Sequence, residues 1–208
     1  HTSHGIVEDD RVIEVSGSPF AEHTITKTIH RLDQVKLLPP LLPSILYAAG
    51  PNYRGHLESM AKRRGEPPKY PARPEPKLRS VRAIIGTEEN IVVPKESPGA
   101  VQPEGQLAVV IGKTARNVSK ENALDHVFGY SIGNDISQRE WQGTDRTLFR
   151  AKNCDTFKPW PTFKQLAANL DRDGTRPRQA PHHRPPQREG LGGFLLGGPD
   201  LGYRDVDS

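Results

Sequence analysis

The sequence predicts a mixed, β-rich α+β chain. Three observations carry this. Short apolar runs rich in β-branched residues recur between turn signals, at residues 6–15, 23–29, 45–49, 81–85, 91–93 and 107–111. Only one segment, residues 53–64, holds a clear helical spacing of apolar residues. The joins between them are proline-rich, with 20 prolines in 208 residues, which keeps helices short. An apolar fraction of 34% lies below that of most globular domains, so part of the chain is expected to stay outside a packed core.

Residues 4–15, "HGIVEDDRVIEV", read as a hairpin closed by the acidic turn Glu8-Asp9-Asp10, and "HTITKTI" at 23–29 adds a third strand. Residues 1–42 therefore form a small N-terminal β module that ends in the proline-rich join "LLPPLLP". Residues 45–49 are a buried strand, Gly50-Pro51-Asn52 a turn, and residues from Tyr53 a short helix. Leu57, Met60 and Ala61 mark its apolar side, and Gly65 closes it. "PPKYPARPEP" at 67–76 is a loop or extended segment. Three strands are expected at 81–85, 91–93 and 107–111. Ser119 is placed as the N-cap of a helix over 120–127 that Gly129 ends, and Tyr130–Asn134 as a further strand. From Trp160 the periodicity is lost. The segment 160–208 is expected to be low in order, including the glycine-broken "GLGGFLLGG" run, which lacks the lysine of a phosphate loop.

The composition narrows the classes. A net charge of +4, with acids and bases interspersed, does not form the basic face of a nucleic-acid binder, and the short "KRR" at 62–64 reads as surface. No run is long enough for a membrane helix and no secretory pattern opens the chain. The single Cys154 excludes an internal disulfide and fits a reducing, cytoplasmic setting, where it reads as a packing residue.

Polar groups at the edges of apolar runs are the candidate site. Glu104 and Gln106 are two apart at the head of the 107–111 run, so on a strand they share a face with Ala108 and Val110. Asp135 ends the extended run 130–134. Two carboxylates converging at a core edge need a cation, a proton or an arginine. All-oxygen ligation favours Mg²⁺, Mn²⁺ or Ca²⁺ over Zn²⁺. The competing reading is that both are ordinary acids facing water. His182 and His183, adjacent on a proline-rich stretch, read as exposed rather than as a metal pair.

The blocks "AAGPNYRGHLE", "PEGQLAVVIGKTARNVS", "GYSIGNDISQRE" and "RAKNCDTFKP" together resemble the fumarylacetoacetate hydrolase family, over residues 5–159. The resemblance implies a β-roll core, incomplete here, with residues 43–159 as the part of the catalytic core that is present. It implies a divalent-metal enzyme acting on a 2-oxo acid, by carbon–carbon hydrolysis of an acylpyruvate-like substrate or by decarboxylation or isomerisation through a metal-bound enolate. Carried over by position, Glu104 and Asp135, 31 residues apart, match metal carboxylates, and Gln106 stands where a second carboxylate is usual. Gln142 matches a glutamine facing the substrate, Lys152 a lysine near its carboxylate, and His56 a histidine that activates water. Tyr53 and Arg54 match positions in the same turn. The hydrolases often pair that histidine with a glutamate three residues on. Here that place is Ser59, while Glu58, at i+2, points to another helix face. A homodimer is implied by resemblance alone. The family pattern stops at Pro159, which suggests a truncated or out-of-frame continuation. The alternative is therefore a catalytically inactive family member that keeps only a binding or oligomerisation role.

Overall fold

The structure is a computed structural model. It describes residues 1–18, 21–50, 53–161 and, for the backbone, 192–197. The turn residues Pro51 and Asn52, the pair His182–His183 and most of the segment 160–208 lie outside the described residues.

Three strands open the chain: β1 (His4–Glu8), β2 (Arg11–Gly17) and β3 (His23–Arg31), an antiparallel sheet in that order. Asp9 and Asp10 make the first turn as expected, with Asp9 at φ 50°, a left-handed conformation that short polar side chains tolerate. The proline-rich join then crosses the main body. Leu41 enters the core, and a Cβ on Gly86 would meet the backbone of Leu37, Leu38 and Pro39 at 3.0 Å. Glycine accommodates this close passage, where a Cβ would press on three backbone atoms.

The main sheet has five strands. They are β4 (Ile45–Ala49), β5 (Pro76–Arg79), β8 (Gly105–Ile111), β9 (Val127–Asn134) and β12 (Gly192–Gly197). Their order is β5-β4-β12-β8-β9, with β12 parallel to β8 and the other pairs antiparallel. Between them lie α1 (Arg54–Arg64), β6 (Ile84–Ile85), β7 (Val101–Gln102), β10 (Ser137–Gln138), α2 (Arg139–Thr144), α3 (Phe149–Asn153) and β11 (Lys158–Pro159). Period-two alternation turns Leu46, Ala48, Ala108 and Val110 to one face, where they pack with Leu41 and Trp160. Trp160 Nε1 donates to Ser131 Oγ at 3.1 Å, which satisfies the buried indole. The opposite face presents Leu78, Leu107 and Ile132, 41–54% exposed, with Leu107 directly opposite Ile132 across the ladder. Among the described residues no helix is long and apolar enough to cross a membrane.

Several sequence expectations are corrected. Residues 81–83 form a 3₁₀ turn, leaving a strand only at Ile84–Ile85. Residues 91–93 are exposed loop, because Val92 N donates to Thr156 Oγ1 rather than to a neighbouring strand. Strand propensity without a partner does not make a strand. Residues 120–126 coil as 3₁₀ rather than α, with no side-chain cap from Ser119, and Gly129 lies within β9. The proline-rich segment ends in β5, an edge strand that begins at Pro76, where a missing N–H costs no ladder bond. The glycine-broken run at 192–197, expected to be irregular, is a central strand. Gly65 closes α1 as predicted, at φ 69°.

Candidate functional site

Strand register brings the two acids together. Gly105 pairs with Asn134, so Glu104 immediately precedes one strand and Asp135 immediately follows its antiparallel neighbour. Asp135 N donates to Glu104 O at 2.9 Å, and Glu104 N donates to Asn134 Oδ1 at 2.9 Å. A spacing of 31 residues in sequence becomes adjacency across one ladder.

Lys152 arrives from the last turn of α3. That short helix is set by Asp145, which accepts from Thr147 and from Ala151 N, and by Asn153, whose Oδ1 accepts from Ser80 N at 2.6 Å. The buried Gln138 caps α2, its Oε1 accepting from Glu140 N and Trp141 N. The Lys152 ammonium lies between the carboxylates, 2.8 Å from Glu104 Oε2 and 3.2 Å from Asp135 Oδ2. Gln106 Nε2 donates to Glu104 Oε2 at 3.0 Å, while its buried Oε1 has no partner among the described residues.

Three cations that the sequence reading missed complete the cluster. Arg79, at the end of β5, donates to both Asp135 oxygens at 2.9–3.1 Å. Lys158 Nζ is 2.8 Å from Asp135 Oδ1 and also donates to the carbonyls of Lys152 and Phe157. Arg139 Nη1 is 2.6 Å from Glu104 Oε1 and also donates to Gln142 Oε1 at 2.7 Å. Arg79 gives no local signal. Lys158 gives one: a lysine within "TFKPW" sits among aromatics and proline, where charged residues are rare.

The structure thus joins Glu104, Gln106, Asp135 and Lys152 directly, and Gln142 through Arg139. His56 is exposed on α1 and touches none of them among the described contacts. Its helix neighbour Glu58 accepts from Tyr70 OH at 2.8 Å, and Arg54 stacks over the Tyr70 ring at 5.2 Å. Glu58 is committed to tying the proline-rich segment to α1. Tyr53 is the N-cap residue of α1 and is exposed.

Burial alone raises the Asp135 pKa, but Lys158, Arg79 and Lys152 reverse it and hold the carboxyl far below its usual range. Glu104 follows the same balance: burial pushes it up, and Lys152 and Arg139 bring it below its ordinary value. Lys158 is pushed down to about 8 by burial, against the opposing pull of Asp135. Between pH 8 and 10.5 the unfolded chain therefore keeps a proton on this lysine that the folded chain has released. Stability rises with pH wherever the unfolded state binds more protons. Urea midpoints are expected to rise across that window and to flatten in Lys158→Met. Equal slopes in the two proteins would remove this assignment.

A divalent ion, as the family resemblance implies, is tested by these donors. Glu104, Gln106 and Asp135 offer oxygen, which suits Mg²⁺ or Mn²⁺. Yet both oxygens of each carboxylate already face cationic nitrogen, and the point between the two acids holds the Lys152 ammonium. Two carboxylates stand against four cations, Arg79, Arg139, Lys152 and Lys158. Among the described residues no three His, Cys, Asp or Glu side chains converge. The donor set does not fit a divalent ion.

A five-stranded mixed sheet with acids, an amide and a buried lysine at its strand ends defines a strand-rich chain with a polar centre at the edge of its core. The protein-family model described as fumarylacetoacetate (FAA) hydrolase, C-terminal, matches residues 46–182, and one described as Rv2993c-like, N-terminal, matches residues 1–40. The chain belongs to the fumarylacetoacetate hydrolase family, whose members are generally dependent on divalent metals. The match runs beyond Pro159, where the sequence blocks end. The chain is 39% identical to Protein Rv2993c of Mycobacterium tuberculosis over 146 residues, 70% of this chain and 52% of that protein. It is 37% identical to oxaloacetate tautomerase YisK of Bacillus subtilis, over 63% of this chain and 43% of that protein. Among solved structures, a 2-hydroxyhepta-2,4-diene-1,7-dioate isomerase from Mycobacterium marinum superposes with a TM-score of 0.63 at 28% identity, covering 90% of this chain and 76% of that one. The chain spans about half the length of the curated relatives it matches.

Proposed function

We propose that the chain carries the catalytic centre of an enzyme acting on a 2-oxo acid, and that its reaction is keto–enol isomerisation. The observation that supports this is the buried Lys152 ammonium, held between two carboxylates beside an amide oxygen that has no partner among the described residues. The similarity to a tautomerase and an isomerase points the same way. Hydrolysis is less well served, because His56 is exposed and Glu58 is engaged by Tyr70.

In this reading the Lys152 ammonium donates to the 2-oxo oxygen. Glu104, which keeps a solvent-facing edge, accepts the proton from C3. The C3–H electrons become the C2–C3 double bond, and the carbonyl π electrons pass to oxygen. That oxygen takes a proton from Lys152, which regains one from Glu104. A fixed ammonium aimed at the developing enolate acts without reorganisation. Arg139 holds the substrate carboxylate, and Gln142 keeps Arg139 in place.

Loss of enol absorbance from oxaloacetate, followed with the purified chain, tests this. Lys152→Met is expected to lower kcat by about 10²–10³-fold, the scale of losing one charge-stabilising donor. A rate within a factor of two of the parent would overturn the assignment.

One observation favours a second reading, an inactive member that keeps a binding or oligomerisation role. The outer sheet face exposes Leu78, Leu107 and Ile132. A second copy of the chain would cover it as a homodimer. No turnover of any 2-oxo acid, with a dimeric mass by light scattering, selects this reading. A monomeric mass removes its oligomerisation half.

A further inference from the structure

The charge balance of the cluster leads beyond the family's expected chemistry. The Asp135 carboxylate, 0% exposed, accepts from Arg79, Lys152 and Lys158, so neither of its oxygens is left for another cation. Glu104 is bound on one oxygen by Arg139 and on the other by Lys152 and Gln106. Gln106 brings no charge. Counted over the six ionised groups, the centre is doubly positive before any ligand enters. A divalent cation would raise that excess, and an anion would cancel it. The buried Gln106 Oε1 has no donor among the described residues; the hydroxyl of an enol-form oxo-acid would supply one, while oxalate probes the charge alone.

We propose that this centre is a metal-independent anion site, in which Lys152, held between Glu104 and Asp135, supplies the positive charge and binds a small oxo-acid or dicarboxylate directly with Arg139 and Gln106. Lys158 has a structural part in the exchange. Its ammonium, 2% exposed and held by Asp135 and two carbonyls, supplies at neutral pH the charge that satisfies the acid. The inference deepens the oxo-acid reading above and rests on it for the ligand class.

Thermal melts of the full chain test it, with oxalate and Mn²⁺ as probes. Anything that binds only the native state raises the melting temperature. Oxalate is expected to raise it equally with and without EDTA, and Mn²⁺ alone to leave it unchanged. Gln106→Glu is expected to weaken oxalate binding by roughly tenfold in calorimetry, since a carboxylate then faces the anion. Should that variant fold poorly, Arg139→Gln, at the solvent edge, is expected to weaken oxalate to a similar degree. A melting temperature raised by Mn²⁺ alone, or an oxalate shift abolished by EDTA, would overturn the proposal. The two readings separate cleanly. Metal-free oxalate binding without isomerase activity sinks the proposed reaction and leaves the anion site. Activity that requires Mn²⁺ does the reverse.

Discussion

Asp135→Asn is expected to destabilise the chain by about 3–5 kcal/mol, the scale for removing one partner of a buried ion pair. The residue is fully buried, and so in effect are the three cations that converge on it, whose side chains are 2–5% exposed. An amide is nearly the same shape but removes the charge and turns an –NH₂ toward donors. Arg79 and Lys158 then lie in the interior without a carboxylate, and Lys152 keeps only Glu104. Against a typical domain stability of about 5–15 kcal/mol, such a loss brings the chain close to unfolding. Urea denaturation at pH 7.5 measures it directly. A loss under about 1 kcal/mol would mean that the cations are solvated and the cluster is not as tight as its geometry. Adding Lys158→Met to Asp135→Asn should recover part of the loss, because contacting residues couple in double-mutant cycles.

Phe157→Ala is expected to cost about 3–5 kcal/mol, the range for removing a buried aromatic and leaving a cavity. Phe157 is the largest fully buried side chain among the described residues. Its carbonyl accepts from Ile136 N at 3.1 Å and from Lys158 Nζ, so it joins the segment after β9 to the lysine beneath Asp135. Alanine keeps that carbonyl, so loss of the ring reaches the site through the backbone that relaxes into the cavity. The substitution should lower the urea midpoint and weaken oxalate binding in parallel. A lowered midpoint with unchanged oxalate affinity would show that the site is held independently of this packing.

Part of the architecture was legible in local patterns. The Asp9-Asp10 turn, the Tyr53–Gly65 helix and the 107–111 strand each rest on signals within a few residues, namely a turn pair, a 3.6-residue period and a C-terminal glycine. The strand at 91–93 was misread because a β-branched triplet states a propensity and not a partner. The strand at 192–197 was missed for the complementary reason. Glycine pairs suppress its propensity, and only pairing with β4 and β8 on either side makes it a strand.

The centre divides in the same way. Sequence by itself determined that Glu104, Gln106 and Asp135 stand at the ends of apolar runs, where an acid is costly, and that the chain carries the blocks of its family. It could not determine what would neutralise those acids. Arg79, Lys152 and Lys158 lie 17 to 56 residues from Asp135 or in an unrelated short strand, and nothing in their local context orders them around it. Tertiary structure decided that point. Strand register sets the two carboxylates side by side, and the ends of β5, α3 and β11 deliver three cations to them. Charge in a low-dielectric interior is settled by its nearest neighbours in space, so its meaning is fixed only once the chain has folded.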